Sequence, residues 1–194
     1  PLNIAYSVGV DGILVVMLLL SSIIVFTGTF ASWQLKPLTK EYFLWFTLLS
    51  TGVFGFFIST DLFTMFMFYE VALIPMYLLI GVWGSGRKEY SAMKLTLMLM
   101  GGSALLILGL LGIYYFNGLY SGEYTFELTT IAANHCIPGN IQNIFFPFIF
   151  IGFGVLGALF PFHTWSPDGH ASAPTAVSML HAGVLMKLGG YGCF

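Results

Sequence analysis

The chain has 194 residues, 58% of them hydrophobic and only 7% charged, with a formal net charge of −2. Soluble domains carry roughly 25% charged residues, so this composition excludes a soluble globular domain and reads as an integral membrane protein. A slightly acidic balance leaves no footprint for nucleic acid, and two cysteines, Cys136 and Cys193, make neither a disulfide framework nor a metal-ligand spacing.

A membrane-spanning helix needs about 20 mostly apolar residues, and six such runs follow one another. The first is predicted from Gly12 to Ala31, the second from Tyr42 to Ser59, the third from Leu62 to Trp83. The fourth runs from Ala92 to Phe116, the fifth from Ile144 to Phe162, and the sixth begins near Ala173. The apolar runs do not alternate with polar residues, which argues against a β-barrel; the expected fold is an all-α polytopic helix bundle. The chain starts at Pro1 and stops at Phe194 within an apolar run, so it is expected to be a piece, residues 1–194, of a longer membrane domain. No signal-peptide pattern and no internal repeat is evident.

Asp11 and Asp61 precede the first and third spans and are expected to cap them. Lys36, Lys40, Arg87 and Lys88 fall in the connections after the first and third spans. The connection 117–143 carries Glu123 and Glu127 but no Lys or Arg, so the basic loops are placed in the cytoplasm or matrix and the acidic loop on the opposite side. Trp33, Trp83, Tyr114, Tyr115 and Trp165 sit near span ends and fit interfacial belts.

The third span holds Glu70, with 8 uncharged residues separating it from Asp61 and 16 from Arg87. A charged group at the centre of a span costs about 2.5–3.5 kcal/mol on insertion scales, so such residues mark ion or proton paths or pair with a neighbouring helix. Pro75, five residues on, removes a backbone donor opposite Val71 and opens the ladder beside Glu70. In the fourth span Lys94 either extends its stem to the interface or faces inward toward Glu70.

The fifth span contains Pro147, Pro161, Gly152, Gly154 and Gly157 and is either a broken helix at a transport site or a kinked helix packed through glycine. His163, Asp168 and His170 follow it in a loop with a tight turn at 167–169; their spacing is not diagnostic of a metal site.

Lys187 lies about 14 residues into the sixth span, roughly 21 Å along it, which is mid-membrane depth. His181, six residues earlier, is about 120° round the axis and suits either a proton relay or a bond to a backbone carbonyl. The two stranded charges, Glu70 and Lys187, are expected to face a hydrated interior. No phosphate-binding glycine loop, iron–sulfur cysteine cluster or nucleophile triad is present.

Together these stretches resemble the antiporter-like, proton-pumping subunits of respiratory complex I (NADH:quinone oxidoreductase), of the chain M or subunit 4 type. The carriers of the resemblance are 7–12, Asp61-Leu62, 69–76, 160–165, 167–170, 173–175 and 182–187, which span the whole sequence. The resemblance implies a place as helices three to eight of about fourteen. It implies that Glu70, Lys187, Lys94, His163 and His170 take part in proton translocation. It also implies no cofactor in this chain, with NADH, FMN, iron–sulfur clusters and quinone bound by partner subunits, and other membrane subunits as neighbours in the bilayer.

One departure stands out. The family usually carries a lysine in the broken helix and a proline two residues later, where this chain has Leu156 and Ala158; Ser166 and Gly169 also replace the common leucine and alanine. His181 is expected to take over the missing protonatable role. Rival readings are a subunit of a multisubunit Na⁺/H⁺ antiporter or membrane-bound hydrogenase, and a scaffold subunit that does not pump. A bacterial cytoplasmic membrane is favoured over the mitochondrial inner membrane.

Overall fold

The computed structural model describes residues 4, 6–36 and 38–193; Pro1 and Phe194 lie outside them. Helix α1 (Gly12–Ala31) is followed by α2 (Thr39–Ile58), α3 (Leu62–Trp83), α4 (Lys88–Ser121), a short α5 (Leu128–Asn134) and α6 (Gly139–Leu156). A 3-10 turn at Phe162–Thr164 leads into α7 (Trp165–Ser172), then α8 (Thr175–Leu180), a π segment (His181–Leu185) and α9 (Met186–Gly192). Among the described residues α1, α2, α3, α4 and α6 are long and apolar enough to cross a membrane. The sixth expected span is present as the run α8–π–α9, interrupted in its hydrogen-bond pattern.

The helix starts follow from local chemistry. Asp11 accepts from the Gly12 N–H at 2.7 Å, and Asp61 Oδ2 accepts from the Thr64 N–H and hydroxyl, each at 3.0 Å. Both carboxylates thereby satisfy orphan first-turn donors, as expected of cap residues. Helix α4 has 34 residues; at 1.5 Å per residue it is about 51 Å long, well beyond a hydrocarbon core of about 30 Å. It ends at Gly122, whose φ of 78° is the left-handed conformation that glycine adopts freely.

Packing is organised by close approach of small residues, because lipid removes the hydrophobic drive between helices. α2 lies against α3 where a Cβ on Gly52 would come within 2.9 Å of the Ala72 methyl, and α4 crosses α6 where one on Gly102 would meet Val155 at 2.8 Å. Large side chains, among them Tyr42, Phe56, Phe57, Tyr69, Leu79 and Trp165, fill the interior. Side chains such as Val16, Phe26, Leu97 and Phe146 stand exposed along the spans, as a lipid-facing surface requires.

One end of the bundle is tied by backbone bonds: Gly9 to Ile58 O at 3.0 Å, Thr60 to Ser7 O at 3.1 Å, Leu62 to Phe126 O at 3.0 Å and Leu128 to Thr60 O at 3.2 Å. This seam joins the N-terminal segment, the α2–α3 connection and the acidic loop. At the other end the Ser85 N–H donates to Ser172 O at 2.8 Å, joining the basic α3–α4 loop to the end of α7.

Three expectations are corrected. The fifth span stops at Leu156 rather than Phe162, and the run expected to be a loop after it is mostly α7. Pro167-Asp168-Gly169 is not a tight turn, because Pro167 occupies the first turn of α7, where a missing N–H costs no intrahelical bond. Trp165 is not an interfacial belt residue: it is 1% exposed, and its Nε1 donates to Val155 O at 3.1 Å.

Candidate functional site

The site forms where α6 breaks. Gly157 closes α6 with its N–H on Phe153 O, and Ala158 turns the chain away at φ 54°. Two of the carbonyls left open by the break are reclaimed: Leu159 donates to Gly154 O at 2.8 Å, and Ala158 and the Trp165 indole both donate to Val155 O. Gly189 of α9 lies directly against the broken end, so close that a Cβ on it would run into Gly157 N and Phe153 O. Of the two sequence readings of this region, the broken helix is the one observed.

α7 then returns into the bundle and sets Trp165 and His170 on either side of His181. The Trp165 and His181 rings stack at 5.2 Å and 13°, and the His170 and His181 rings at 4.4 Å and 28°. His181 is 1% exposed, and its Nδ1 has no hydrogen-bond partner among the described residues. His170 is half-buried, and its Nδ1 shares a hydrogen bond with Ser178 Oγ at 3.1 Å. Partial burial holds the His170 imidazole below its ordinary value.

His181 also opens the π segment. The Met186 N–H reaches back to His181 O, five residues away. Ala182 O, which a regular helix would bond to that donor, accepts instead from Lys187 Nζ at 3.1 Å. Single π turns inside helices often mark functional positions.

A small cavity lies between these elements, lined by Tyr69, Ala72, Leu73, Met76, Leu99, Leu156, Trp165, His181 and Leu185. Its space is about 10 Å³, close to the minimum for one water. Tyr69 donates its hydroxyl to Leu99 O at 3.0 Å. Glu70 sits eight residues into α3, about 12 Å along it, and flanks the cavity-lining face about 60° from Leu73. Its Oε1 is buried without a partner among the described residues. The helix continues past Pro75, which has no N–H to give Val71 O.

Not every expected residue converges here. Lys94 does not turn to Glu70; its Nζ pairs with Asp168 Oδ2 at 2.6 Å, joining α4 to α7. Lys187 is exposed on the outside of the bundle rather than buried, one face round from His181. His163 is exposed beside Phe160, at a ring distance of 5.7 Å, away from the histidine pair. The cavity that Tyr69, Leu73 and Met76 of α3 help to line has room for about one water.

Sequence reasoning missed Asp168 as the partner of Lys94, Ser178 as the partner of His170, and Tyr69 as a cavity wall. Reading α7 as a helix would have found the first two, since it places 168 and 170 on defined faces. No His, Cys, Asp or Glu grouping able to hold a metal occurs among the described residues.

The comparisons with known proteins agree with this architecture. Residues 59–194 match the family described as "NADH:quinone oxidoreductase/Mrp antiporter, TM". NADH-quinone oxidoreductase subunit M of Rickettsia conorii is 38% identical over 98% of this chain and 38% of its own length. NAD(P)H-quinone oxidoreductase chain 4-2 of Synechocystis is 34% identical over 98% of this chain and 33% of its own. A chain of respiratory complex I from Thermus thermophilus superposes with a TM-score of 0.84 at 25% identity, covering 97% of this chain and 38% of that one. A chain of an archaeal membrane-bound sulfane sulfur reductase shares the fold, with a TM-score of 0.78 at 23% identity over 91% of this chain and 37% of its own. The chain thus spans little more than a third of the length of these relatives. With most of its residues matched, the chain belongs to the NADH:quinone oxidoreductase/Mrp antiporter transmembrane family.

Proposed function

We propose that residues 1–194 form a single membrane unit, helices three to eight of a chain M-type antiporter-like subunit, which moves protons across an energy-transducing membrane as part of NADH:quinone oxidoreductase. The observation that carries this reading is Glu70, a carboxyl group deep within α3 with one oxygen buried and unpartnered beside a cavity wall. A carboxyl group within a membrane span is rare and marks a path for protons or ions. The identities to subunit M and chain 4 proteins support the same reading.

In this mechanism electrons pass from NADH to quinone in partner subunits, where FMN and iron–sulfur clusters reside. The neighbouring antiporter-like subunits transmit the charge bias. Moving one proton against 100 mV requires about 2.3 kcal/mol. A unit charge brought to about 7 Å at an effective dielectric constant of about 20 supplies roughly 2.4 kcal/mol, so electrostatic coupling suffices. Glu70 takes up and releases the proton, Lys187 and His181 accept it on the α8–α9 side, and Lys94, His163 and His170 serve the basic-loop side. The cavity of about 10 Å³ beside α3 has room for about one water, and passage through it would proceed by its widening during turnover. The bacterial sources of the relatives favour a bacterial cytoplasmic membrane over the mitochondrial inner membrane.

The test is Glu70→Gln in the assembled complex, read as proton uptake by inverted membrane vesicles on NADH addition. Removal of a positioned proton-transfer group should lower pumping by roughly 100-fold or more. A second reading, a scaffold subunit that does not pump, draws on Leu156, an apolar side chain 1% exposed at the broken helix. Unchanged pumping in Glu70→Gln would favour it. Pumping that continues with sodium and without NADH or quinone-binding partners would point to a Na⁺/H⁺ antiporter.

A further inference from the structure

On the acidic-loop side of the bundle a second cavity, of about 340 Å³, opens between α4, α5 and α6, and it shares no residue with the small cavity beside α3. That volume lies within the range of sites that take small ligands, roughly 300–1,000 Å³. Its walls are apolar: Ile113 from α4, Ile131 and Ala132 from α5, and Ile141, Phe145 and Ile149 from α6. The three α6 residues recur every four positions and form one stripe about 12 Å long. The stripe starts in the first turn of α6 and runs through most of one leaflet, which is half of a hydrocarbon core of about 30 Å. Gly109 and Gly112 hold α4 close beside it, since a Cβ on either would run into Ile149 or Phe145.

The polar groups of this groove sit at its outer end. The chain turns at His135, whose φ of 42° is left-handed, and His135, Cys136 and Gln142 line the cavity there. Gln142 Nε2 donates to Ile137 O at 2.8 Å, which ties the turn to α6 and leaves the amide oxygen to accept from outside. Glu127 lies one turn of α5 before Ile131, about 6 Å along the axis. The connection 117–143 has Glu123 and Glu127 but no Lys or Arg. An amphiphile that enters thus lays its apolar end on α6 and meets acceptors and negative charge at its head. Size decides between a lipid tail and a protein segment. A helix about 10 Å across, laid on a stripe of about 12 Å, takes up roughly 900 Å³ and would span the groove without filling it. A hydrocarbon chain, about 4 Å across at van der Waals contact, takes up roughly 150 Å³ over that length and fits.

We propose that the groove between α4, α5 and α6 holds one hydrocarbon chain of a phospholipid whose headgroup carries a primary ammonium. The tail lies along Ile141, Phe145 and Ile149, and the ammonium meets Gln142 and the carboxylates of the acidic loop. Two carboxylates with no basic residue between them repel an anionic headgroup and give an ammonium its counter-charge. The tail only exchanges one apolar medium for another, so selection rests on the headgroup rather than on a hydrophobic gain. The site lies in a part of the molecule that the proton-translocating reading does not use, and it stands whether or not Glu70 carries protons.

The test uses the intact complex in nanodiscs of phosphatidylcholine with an equal admixture of either phosphatidylethanolamine or phosphatidylglycerol. Cys136, exposed at the mouth of the groove, reports occupancy through its rate of maleimide labelling, followed by peptide mapping. Phosphatidylethanolamine should slow the labelling several-fold relative to phosphatidylglycerol. Ala132→Trp fills the groove from an exposed position on α5. It should assemble on a native gel, leave NADH:quinone turnover unchanged and label at one rate in both lipids. Glu123→Lys combined with Glu127→Lys should reverse the lipid preference, and it decides the matter where Ala132→Trp does not assemble. Equal labelling of the wild type in the two lipids overturns the proposal, as does a wild-type lipid preference that survives in Ala132→Trp or in the double Lys variant. A Cys136 that stays unreactive in both lipids and in the lipid-stripped complex also overturns it, because protein then covers the groove.

Discussion

Two helices of this chain are interrupted beside the same small cavity, and they are interrupted in opposite ways. α6 ends outright: Ala158 turns out of the helix, and α7 starts in a new direction after a 3-10 turn. The α8–α9 run keeps its direction and only widens by a π turn at 181–185. At the full break Trp165, Ala158 and Leu159 reclaim Gly154 O and Val155 O. The widened turn instead releases one carbonyl, Ala182 O, and gives it to a charged side chain, Lys187. A break can thus be purely architectural, while a one-residue widening delivers polar groups to chosen faces.

That contrast is most sharply broken by deleting Ala182. Removing the one extra residue returns the π turn to a regular helix, the Met186 N–H keeping its bond to His181 O, so that α9 holds its direction while Lys187 loses its carbonyl. An assembled subunit with strongly reduced pumping is expected from a native gel and vesicle assay; a deletion variant that assembles and pumps like the wild type would show that the widened turn has no role.

A smaller effect is expected at the full break. Trp165→Phe removes the indole donor from Val155 O but leaves the Ala158 N–H on it. The loss of one buried hydrogen bond is worth about 1 kcal/mol, felt as a lower thermal midpoint of the purified complex with pumping retained. A midpoint equal to that of the wild type would mean that the break is held by backbone bonds alone.

The smallest effect is expected at the ion pair that ties α7 to α4. Lys94 and Asp168 are both partly exposed, and such pairs are screened by salt. Asp168→Asn should assemble normally, with a lower thermal midpoint than wild type at low ionic strength and the same one at high ionic strength. A deficit that persists at high salt would make the pair a buried strut rather than a surface clasp.

Much of the fold was legible because lipid imposes a simple rule on length and polarity. The first and third spans match to the residue, and the second and fourth begin earlier than the apolar runs, since Thr39, Lys40, Lys88 and Glu89 carry the helix into the polar zone. The bends were harder. Gly157 and Pro161 announced irregularity near 160, but nothing in residue types shows that 165–172 re-enters the bundle as a helix. His181 was visible as an oddity, whereas its stacking on His170 depends on the π turn, which no side chain in HAGVL encodes by itself. Lys187 misled because apolar depth along a helix says nothing about which way round the axis a residue points.

The small cavity next to α3 carries a final implication for how tightly this region is built. Its walls come from α3, α4, α6, α7 and the π segment, so a substitution that enlarges any one of these side chains presses on the other elements at once.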